Sequence, residues 1–239
     1  MYSSKDFYNR FATVYGKYSA RRKEYIASVN RFIETRAVYK KKLSLMDVGC
    51  GDGRRANKLY YMIQAGSLTL MDDSAEMLRL SRKISGTKVV EADISDPSFK
   101  ASEKYDVVLC LWNVLGHIPT AEKRRHTLRN LKHLLVEKGQ LFIDVNNRYN
   151  ASHYGVINVV KNIFKDVLST PGSGDFEFGV ETSSGTIQTS VHVFSPFEIE
   201  ALFKTCGLRI KKRIILSYRS GKKVGGIFFG QLVYELVKI

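Results

Sequence analysis

The sequence is short of cysteine and of acidic residues, and it has no long apolar run. Its three cysteines, Cys50, Cys110 and Cys206, are scattered and lack metal-site spacing, which predicts reduced thiols in a cytoplasmic protein and no bound metal. The longest uninterrupted apolar run in the body of the chain, Val107–Trp112, is far shorter than a membrane span. The first residues, MYSSKDFYNR, lack the apolar region of a signal peptide. We therefore expect neither secretion nor a membrane partner.

The shortage of acidic residues leaves a strongly basic chain. Of 239 residues, 38 are lysine or arginine and 23 are aspartate or glutamate, so the formal net charge is +15. A basic surface attracts polyanions such as nucleic acid. The basic clusters are short and dispersed, however, and no RNA-binding module is recognisable among them. Solubilising surface lysines and a docking surface for RNA therefore both stay open.

What the sequence does contain is a glycine-rich turn inside Leu43–Leu59. An apolar run before the turn predicts a buried strand, and the residues after it favour the start of a helix. The turn carries three alternating glycines, Gly49, Gly51 and Gly53. Glycine lets the backbone approach a ligand where a Cβ would collide, and the amides of a first helical turn face that ligand. The dinucleotide fingerprint G-x-G-x-x-G fails here because Arg54 stands at its third glycine.

The pattern Asp47-x-Gly49-x-Gly51-x-Gly53 resembles motif I of the class I S-adenosylmethionine-dependent methyltransferases. The resemblance implies that this loop wraps the methionine end of S-adenosylmethionine and that Asp47 assists on its ammonium side. The product of such a reaction is S-adenosylhomocysteine. The resemblance rests on specific motifs over Leu43–Asn147. In the rest of the chain it rests only on the predicted arrangement of helices and strands.

Acidic residues follow the next two predicted strands. Asp72 comes at the end of the second strand, where a carboxylate is placed to accept both ribose hydroxyls, and LTLMDDSAEMLRLSR resembles the family's motif II. Asp73 is a further cofactor candidate, although with Ser74 it is also typical of a helix N-cap. Asp93 and Ile94 follow the third strand. They resemble the family position where an Asp accepts from the adenine amino group and the next residue packs on the ring, but ordinary turn chemistry also uses an Asp there.

The fourth predicted strand, Tyr105–Leu111, is apolar throughout, as a central parallel strand should be. It leads towards His117 at the point where open α/β sheets bind ligands. Leu111 and Trp112 are candidates for cofactor contact, although Trp112 also fits a core position. His117 resembles a His that the family often has in this loop, where a neutral imidazole takes a proton from a hydroxyl or amine nucleophile. A His that only braces the loop is an equal alternative.

The family's amino-methyltransferase signature, [D/N]-P-P-[Y/F], is absent from this loop. Its absence argues against the common subgroups that methylate DNA adenine, RNA adenine and glutamine. Beyond the loop, we expect a turn at Lys138–Gln140 before a fifth strand over Leu141–Val145. The closing strands are expected over Leu208–Tyr218 and Ile227–Val237.

Two segments are predicted to cover the site. The N-terminal helices have an aromatic edge, and a segment resembling DFYNRFATVYGKY folds over the cofactor as a lid in many members of the family. This makes Tyr15 and Tyr18 candidates for the site, with a core position as the alternative. The segment after the fifth strand contains a β-hairpin that turns at Ser183-Ser184-Gly185. Its candidates for substrate binding are Arg148, Tyr149, His153 and Tyr154.

Together these features predict a Rossmann-like α/β fold with a seven-stranded, mostly parallel sheet, an antiparallel closing strand, an N-terminal helical lid and a β-hairpin insertion. The predicted segments of this single domain are a lid (1–42), a cofactor-binding core (43–147), a substrate cover (148–195) and a closing helix with two strands (196–239). The resemblance implies methyl transfer to an O or N atom. The compact cover favours a small-molecule acceptor over tRNA or rRNA. An S-adenosylmethionine-binding protein without transferase activity is the third hypothesis.

Overall fold

A computed structural model of the chain describes residues 2–168, 170, 172–182 and 185–239. Its strands are β1 (Ser44–Val48), β2 (Ser67–Asp72), β3 (Lys88–Glu91), β4 (Tyr105–Cys110), β5 (Leu135–Val145), β6 (Asp175–Thr182), β7 (Gly185–His192), β8 (Leu208–Leu216) and β9 (Gln231–Lys238). Its α-helices are α1 (Ser4–Phe11), α2 (Tyr15–Ala20), α3 (Lys23–Arg36), α4 (Arg54–Met62), α5 (Ala75–Ser81), α6 (Ala121–His133), α7 (Ala151–Tyr154), α8 (Val156–Val167) and α9 (Pro196–Thr205). A 3-10 turn, Val114–His117, follows β4.

Within the described residues, seven strands form one sheet in the order β3-β2-β1-β4-β5-β9-β8. Strand β1 lies parallel to β2 and β4, and β4 lies parallel to β5. Strand β9 runs antiparallel to both of its neighbours, β5 and β8. The predicted mostly parallel sheet with an antiparallel closing strand is therefore confirmed. The chain changes direction across the sheet between β1 and β4, which is where open α/β sheets bind their ligands.

Apolar residues cover both faces of the sheet, because a parallel strand at its centre is buried on both sides. Every residue of β4 is buried. On one face, α6 and α9 contribute Leu128, Leu131 and Phe203 to the core. On the other face, α3 and α4 contribute Ile33 and Leu59. This packing on two sides holds the carboxyl ends of β1, β2 and β4 together at one edge.

The boundary predicted for the fifth strand is wrong. Strand β5 begins at Leu135, so the turn expected at Lys138–Gln140 lies within the strand, where its register with β4 shifts. The side chain of Gln140 holds this irregular stretch in place. Its amide oxygen accepts from the backbone N–H of Val38 at 2.7 Å, and its nitrogen donates to the carbonyl of Arg36 at 2.9 Å. Contacts with the end of α3 and with the segment that follows it therefore replace a free turn.

The last strand is also shorter than predicted, beginning at Gln231 and not at Ile227. The reason is that Asn147 binds the preceding loop through its side-chain nitrogen. That nitrogen donates to the carbonyl of Ile227 at 2.6 Å and to the carbonyl of Gly230 at 2.9 Å. Strand β8 likewise ends before Tyr218, which leaves this side chain free to take part in the site.

The first helix lies against the hairpin formed by β6 and β7. The backbone N–H of Tyr2 donates to the carbonyl of Gln188 at 2.8 Å, and the ring centroids of Phe7 and Phe178 are 5.7 Å apart. On its other side, α1 is joined to the start of α5, because the hydroxyl of Ser74 donates to Oδ1 of Asn9 at 2.8 Å. Helix and hairpin thus form one cover over the carboxyl ends of the strands.

The predicted hairpin is present, with pairing from Asp175 opposite His192 to Thr182 opposite Gly185. Ser183 and Ser184, where its turn was expected, lie outside the described residues. In the part of the chain that the structure describes, no helix has the length and apolar character needed to cross a membrane.

Candidate active site

A cavity of about 520 Å³ opens at the carboxyl ends of β1, β2, β3 and β4. Strand ends form its floor, and α1 and α2 form part of its roof. Most of the residues predicted to bind cofactor, together with two other predicted site residues, line its wall: Gly49, Gly51, Asp72, Asp73, Asp93, Ile94, Leu111, Trp112, Tyr15 and His117. The fold therefore brings together residues that lie up to about a hundred positions apart in the sequence.

Any residue other than glycine would be strained at two positions of the turn, Gly49 and Gly51. Gly49 and Gly51 have φ angles of 71° and 56°, in the left-handed region that glycine tolerates best. A Cβ on Gly49 would lie 2.5 Å from Cγ2 of Val114, and a Cβ on Gly51 would lie 3.0 Å from the hydroxyl of Tyr15. The loop is therefore held close both to the turn after β4 and to the lid.

Asp47 and Gly53 lie beneath this loop, outside the cavity wall. A Cβ on Gly53 would lie 2.9 Å from the side chain of Ile84, so this glycine permits close packing. Asp47 is only 4% exposed. Burial raises the pKa of its carboxyl to about 7, and the positive charge of Arg55 opposes that rise. A cation bound nearby would favour the ionised form of Asp47.

Asp72 joins the glycine loop to the turn after β2. Its Oδ2 accepts from the backbone N–H of Gly51 at 2.8 Å, and its Oδ1 accepts from the backbone N–H of Ser74 at 2.9 Å. Burial raises the pKa of this carboxyl, and these amide hydrogen bonds oppose the rise. Asp72 thus shapes the loop as well as lining the cavity, a structural role that sequence analysis did not predict.

The other two acids in the wall have distinct surroundings. The helix-capping role considered for Asp73 belongs to Ser74, whose side chain caps α5. Burial raises the pKa of Asp73 to about 6, and the charges of Asp72 and Asp93 add to the rise. Oδ1 of Asp93 accepts from the backbone N–H of Ser95 at 2.7 Å. Asp93 therefore takes part in a turn and in the cavity wall at once.

The loop after β4 has an uncommon backbone. Trp112 and Asn113 have φ angles of 63° and 60°, which non-glycine residues keep only where neighbouring contacts hold them. Asp144 supplies those contacts. Its carboxylate accepts from the backbone N–H of Trp112 and, at 2.7 Å, from the hydroxyl of Tyr25, while its carbonyl accepts from the backbone N–H of Asn113 at 3.1 Å. This turn brings Trp112 into the cavity wall.

His117 lies at the end of the 3-10 turn with its two ring nitrogens in different surroundings. Nε2 is 3.0 Å from the hydroxyl of Tyr8 on α1, whereas Nδ1 is buried and has no hydrogen-bond partner among the described residues. Burial lowers the pKa of the imidazole to about 4, so the ring is neutral at pH 7. A neutral ring has one nitrogen that accepts a hydrogen bond. This property fits a catalytic base and a structural brace of the loop equally well.

Tyr15 and Tyr18, the candidates from the lid, lie on α2 beside Trp112. Tyr15 covers Gly51 and lines the cavity. The ring centroids of Tyr15 and Tyr18 are 5.6 Å and 6.1 Å from that of Trp112. The lid therefore contributes an aromatic wall next to the glycine loop.

Arg148 and Tyr149 lie elsewhere, in the wall of a second cavity of about 660 Å³. The guanidinium of Arg148 is 2.8 Å from a carboxylate oxygen of Asp166 and 2.6 Å from one of Glu198. The hydroxyl of Tyr149 donates to Asp166 at 2.6 Å. The structure does not bring these two residues to the candidate active site, because α8 directs Asp166 inward and neutralises Arg148 within the scaffold.

His153 and Tyr154, on α7, reach the site through another aromatic residue. The ring centroid of His153 is 5.4 Å from that of Tyr218, whose hydroxyl accepts from Nε1 of Trp112 at 3.3 Å. His153 also packs against Tyr154, with centroids 4.6 Å apart. These two residues therefore lie behind the wall that Trp112 forms.

Three residues of the site were not predicted from the sequence: Tyr8, Asp144 and Tyr218. Tyr8 belongs to the aromatic edge of the N-terminal helices, but nothing distinguishes it there from core tyrosines. Asp144 does have a signal in the sequence, because an acid within a buried apolar strand needs a polar partner. Tyr218 was expected inside a strand.

Comparison with known sequences gives one family and one curated relative. Residues 45–139 match the family model described as a methyltransferase domain. Over 109 residues the chain is 30% identical to a glycine/sarcosine N-methyltransferase from Aphanothece halophytica. That match covers 43% of this chain and 40% of the relative, so the chain spans well under half of the relative's length.

Solved structures share the fold along nearly the whole chain. An S-adenosylmethionine-dependent methyltransferase from Clostridium acetobutylicum has a TM-score of 0.64 at 18% identity, over 97% of this chain and 98% of that one. The CcbJ methyltransferase from Streptomyces caelestis has a TM-score of 0.72 at 13% identity, over 99% of both chains. At these identities the likeness is one of fold, and it agrees with the Rossmann-like architecture described above.

Proposed function

We propose that the chain is a class I S-adenosylmethionine-dependent methyltransferase and that it moves the methyl group of S-adenosylmethionine to an O or N atom of a small-molecule acceptor. The observation that carries the proposal is the acidic, lid-covered cavity at the point where the sheet changes direction. Residues of the segment that matches the methyltransferase-domain model, the acids at the strand ends and residues of α1 and α2 all line this cavity.

The residues in the cavity fit this cofactor. The glycine loop has its backbone exposed to the cavity where larger residues would collide with Val114 and Tyr15. In this assignment Asp72 binds the ribose, and Asp93 with Ile94 binds the adenine. When bound, the cofactor supplies a methyl group that its sulfonium has already activated.

The charge of the cavity wall supports a neutral or cationic small acceptor. Acids outnumber bases among its lining residues, which include Asp72, Asp73, Glu91 and Asp93 but only Lys5 and Lys123. A wall with this balance repels a phosphate backbone. RNA is the second candidate, and the net charge of +15 favours it.

The protein's main task in such a transfer is to align the acceptor and exclude water. Tyr15 and Trp112 close the cavity next to the glycine loop. His117 lines the same cavity as a neutral imidazole, so it is able to accept a hydrogen bond or a proton from the acceptor. Because its pKa is about 4, His117 is a weak base, and it is better suited to orient the acceptor through a hydrogen bond than to hold a transferred proton.

Methyl transfer into fractionated cell extract tests the proposal. The purified chain is incubated with methyl-labelled S-adenosylmethionine and either the small-molecule or the RNA fraction, with and without ribonuclease. Label in the small-molecule fraction that survives ribonuclease is the expected result. Label that ribonuclease releases from RNA would overturn the small-molecule assignment and make the basic clusters a docking surface.

Asp72→Ala serves as the control, because a variant that cannot hold the ribose should transfer no label. If this variant still transfers label, its affinity for S-adenosylhomocysteine decides the reason: lost affinity indicates a contaminating enzyme, and wild-type affinity means that Asp72 does not hold the ribose. Wild-type protein that binds S-adenosylhomocysteine but labels neither fraction would favour the third hypothesis, a cofactor-binding protein without transferase activity.

A further inference from the structure

The guanidinium of Arg55 is buried beside the glycine loop with its end unpartnered. Arg55 lies in the first turn of α4, two residues after Gly53. Its Nε donates to Oδ1 of Asn30, a buried residue of α3, at 2.9 Å. Nη1 and Nη2 are both buried, and among the described residues neither has a hydrogen-bond partner. A buried cation with free donors is costly unless an anion joins it.

Two neighbours place this cation next to the cavity. Burial raises the pKa of Tyr15 and of Asp47, and the positive charge of Arg55 opposes the rise at both. Tyr15 lines the cavity directly over Gly51. Arg55 is not one of the residues that line the cavity, but its charge acts on Tyr15, which does line it.

Asp47 does not fully neutralise this charge. Nη1 and Nη2 of Arg55 have no hydrogen-bond partner among the described residues, so Asp47 accepts from neither of them. Burial also raises the pKa of Asp47 to about 7, which leaves the carboxyl partly protonated at neutral pH. A carboxyl group and a guanidinium thus lie under one glycine loop, each with unused capacity for an ionic partner.

We infer that Arg55 binds the α-carboxylate at the methionine end of S-adenosylmethionine. That end is a zwitterion, and an acid beside a guanidinium matches both of its charges, with Asp47 on the ammonium side. The planar guanidinium offers paired donors in the geometry that a carboxylate accepts. This inference rests on the proposed function, because it assigns a residue toward the cofactor of that function. Ribose and adenine contacts recognise any adenosine, whereas Arg55 recognises the amino acid attached to it.

The chain supplies a matched control at the preceding position. Arg54 is the same residue type on the same helical turn, but its side chain is 78% exposed and lies 3.5 Å from the carboxylate of Asp52. The same substitution at the two positions therefore separates a general loss of positive charge near the loop from the loss of one buried donor set.

Calorimetric titration with two ligands tests the inference. S-Adenosylhomocysteine has both charges of the amino acid end, and its decarboxylated analogue keeps only the ammonium. Arg55→Gln is expected to weaken S-adenosylhomocysteine by about 10- to 100-fold, the range for a hydrogen bond to a charged group. The same variant should bind the decarboxylated analogue within about twofold of wild type. Arg54→Gln should leave both affinities within about twofold.

Three results would overturn the inference. They are an equal loss for both ligands in Arg55→Gln, unchanged affinity for S-adenosylhomocysteine in that variant, or an equal effect of Arg54→Gln. A wild-type chain that binds neither ligand would overturn the proposed function as well, so the two failures are distinguishable. Thermal melting checks that Arg55→Gln folds. If it does not, Arg55→Lys keeps the charge without the paired donors, and it should show a smaller loss confined to the ligand with a carboxylate.

Discussion

The hydroxyl of Tyr8 lies 3.0 Å from Nε2 of His117, which joins α1 to the turn after β4. The two rings also pack edge to face, with centroids 5.2 Å apart. Burial raises the pKa of Tyr8 and lowers that of His117 to about 4, so both groups are neutral at pH 7. Placement of the lid helix and orientation of the imidazole are thereby coupled.

Removing only the hydroxyl of Tyr8 tests this coupling. Tyr8→Phe keeps the ring packing but leaves Nε2 without its partner, so we expect turnover to fall about 5- to 10-fold, as for one net hydrogen bond of about 1 kcal/mol. Affinity for S-adenosylhomocysteine should change less than about twofold. Initial rates and calorimetry measure the two effects. Tyr61→Phe, at a residue 71% exposed, is the control and should behave as wild type.

Substitution of His117 distinguishes a catalytic role from a structural one. His117→Ala should lower turnover more than it lowers cofactor affinity, because the ring lies at the cavity wall after the strand end that would bind the cofactor. Combined with Tyr8→Phe, the losses should be non-additive, since both variants remove the same hydrogen bond. Unchanged turnover in His117→Ala would reduce this residue to a brace of the loop.

Asp72→Ala should abolish measurable binding of S-adenosylhomocysteine while the fold stays intact. The carboxylate lines the cavity and also accepts from the backbone N–H groups of Gly51 and Ser74, so its loss affects both the ligand and the loop. Circular dichroism monitors the fold, and calorimetry monitors binding. Asp72→Asn keeps one oxygen acceptor and should be the more stable of the two variants. Wild-type affinity in Asp72→Ala would rule out the ribose assignment.

Alanine substitutions at two glycines with similar backbones distinguish the cost of backbone strain from the cost of a steric collision. Gly49 and Gly86 have φ angles of 71° and 75°. A Cβ at Gly49 would lie 2.5 Å from Val114, whereas a Cβ at Gly86 would have no atom of the described residues within 4 Å. Gly86→Ala should lower the free energy of unfolding by about 1–2 kcal/mol through strain alone. Gly49→Ala should cost more and also weaken cofactor binding, because Val114 must move. Urea denaturation measures both, and equal losses would contradict the packing of the loop.

The buried groups predict opposite pH dependences of stability. Because the folded-state pKa of His117 is lowered from 6.5 to about 4, the unfolded chain binds an extra proton between these values. The free energy of unfolding contributed by His117 should therefore rise with pH from about 4 to 6.5. The pKa of Asp47 is raised from 3.8 to about 7, so its contribution should fall with pH over that window.

Urea denaturation at a series of pH values isolates each group. The stability of wild type relative to His117→Asn should increase with pH, and that of wild type relative to Asp47→Asn should decrease. Flat differences would show that neither group is as deeply buried as the structure has it.

Several parts of the fold were predictable because they follow from local pattern and topology. Parallel strands place their carboxyl ends at one edge, so Asp72 and Asp93, which resemble the family's motif positions at two strand ends, could be assigned to one site. The spacing of Gly49 and Gly51 needs no tertiary information either, since glycine adopts such a backbone without the steric cost that other residues incur. Boundaries were less predictable where a single side chain, such as Gln140, reshaped a strand.

What the sequence by itself determined is the strands and the acids and glycines at their ends, because periodicity and turn chemistry act over a few neighbouring residues. Tertiary structure alone decided the partners of the long side chains. It placed Tyr8 on His117 and left the end of Arg55 without a partner among the described residues. It also took Arg148 away from the cavity to pair with Asp166 and Glu198. Such contacts join residues far apart in the chain, and their energies depend on burial that no local pattern encodes.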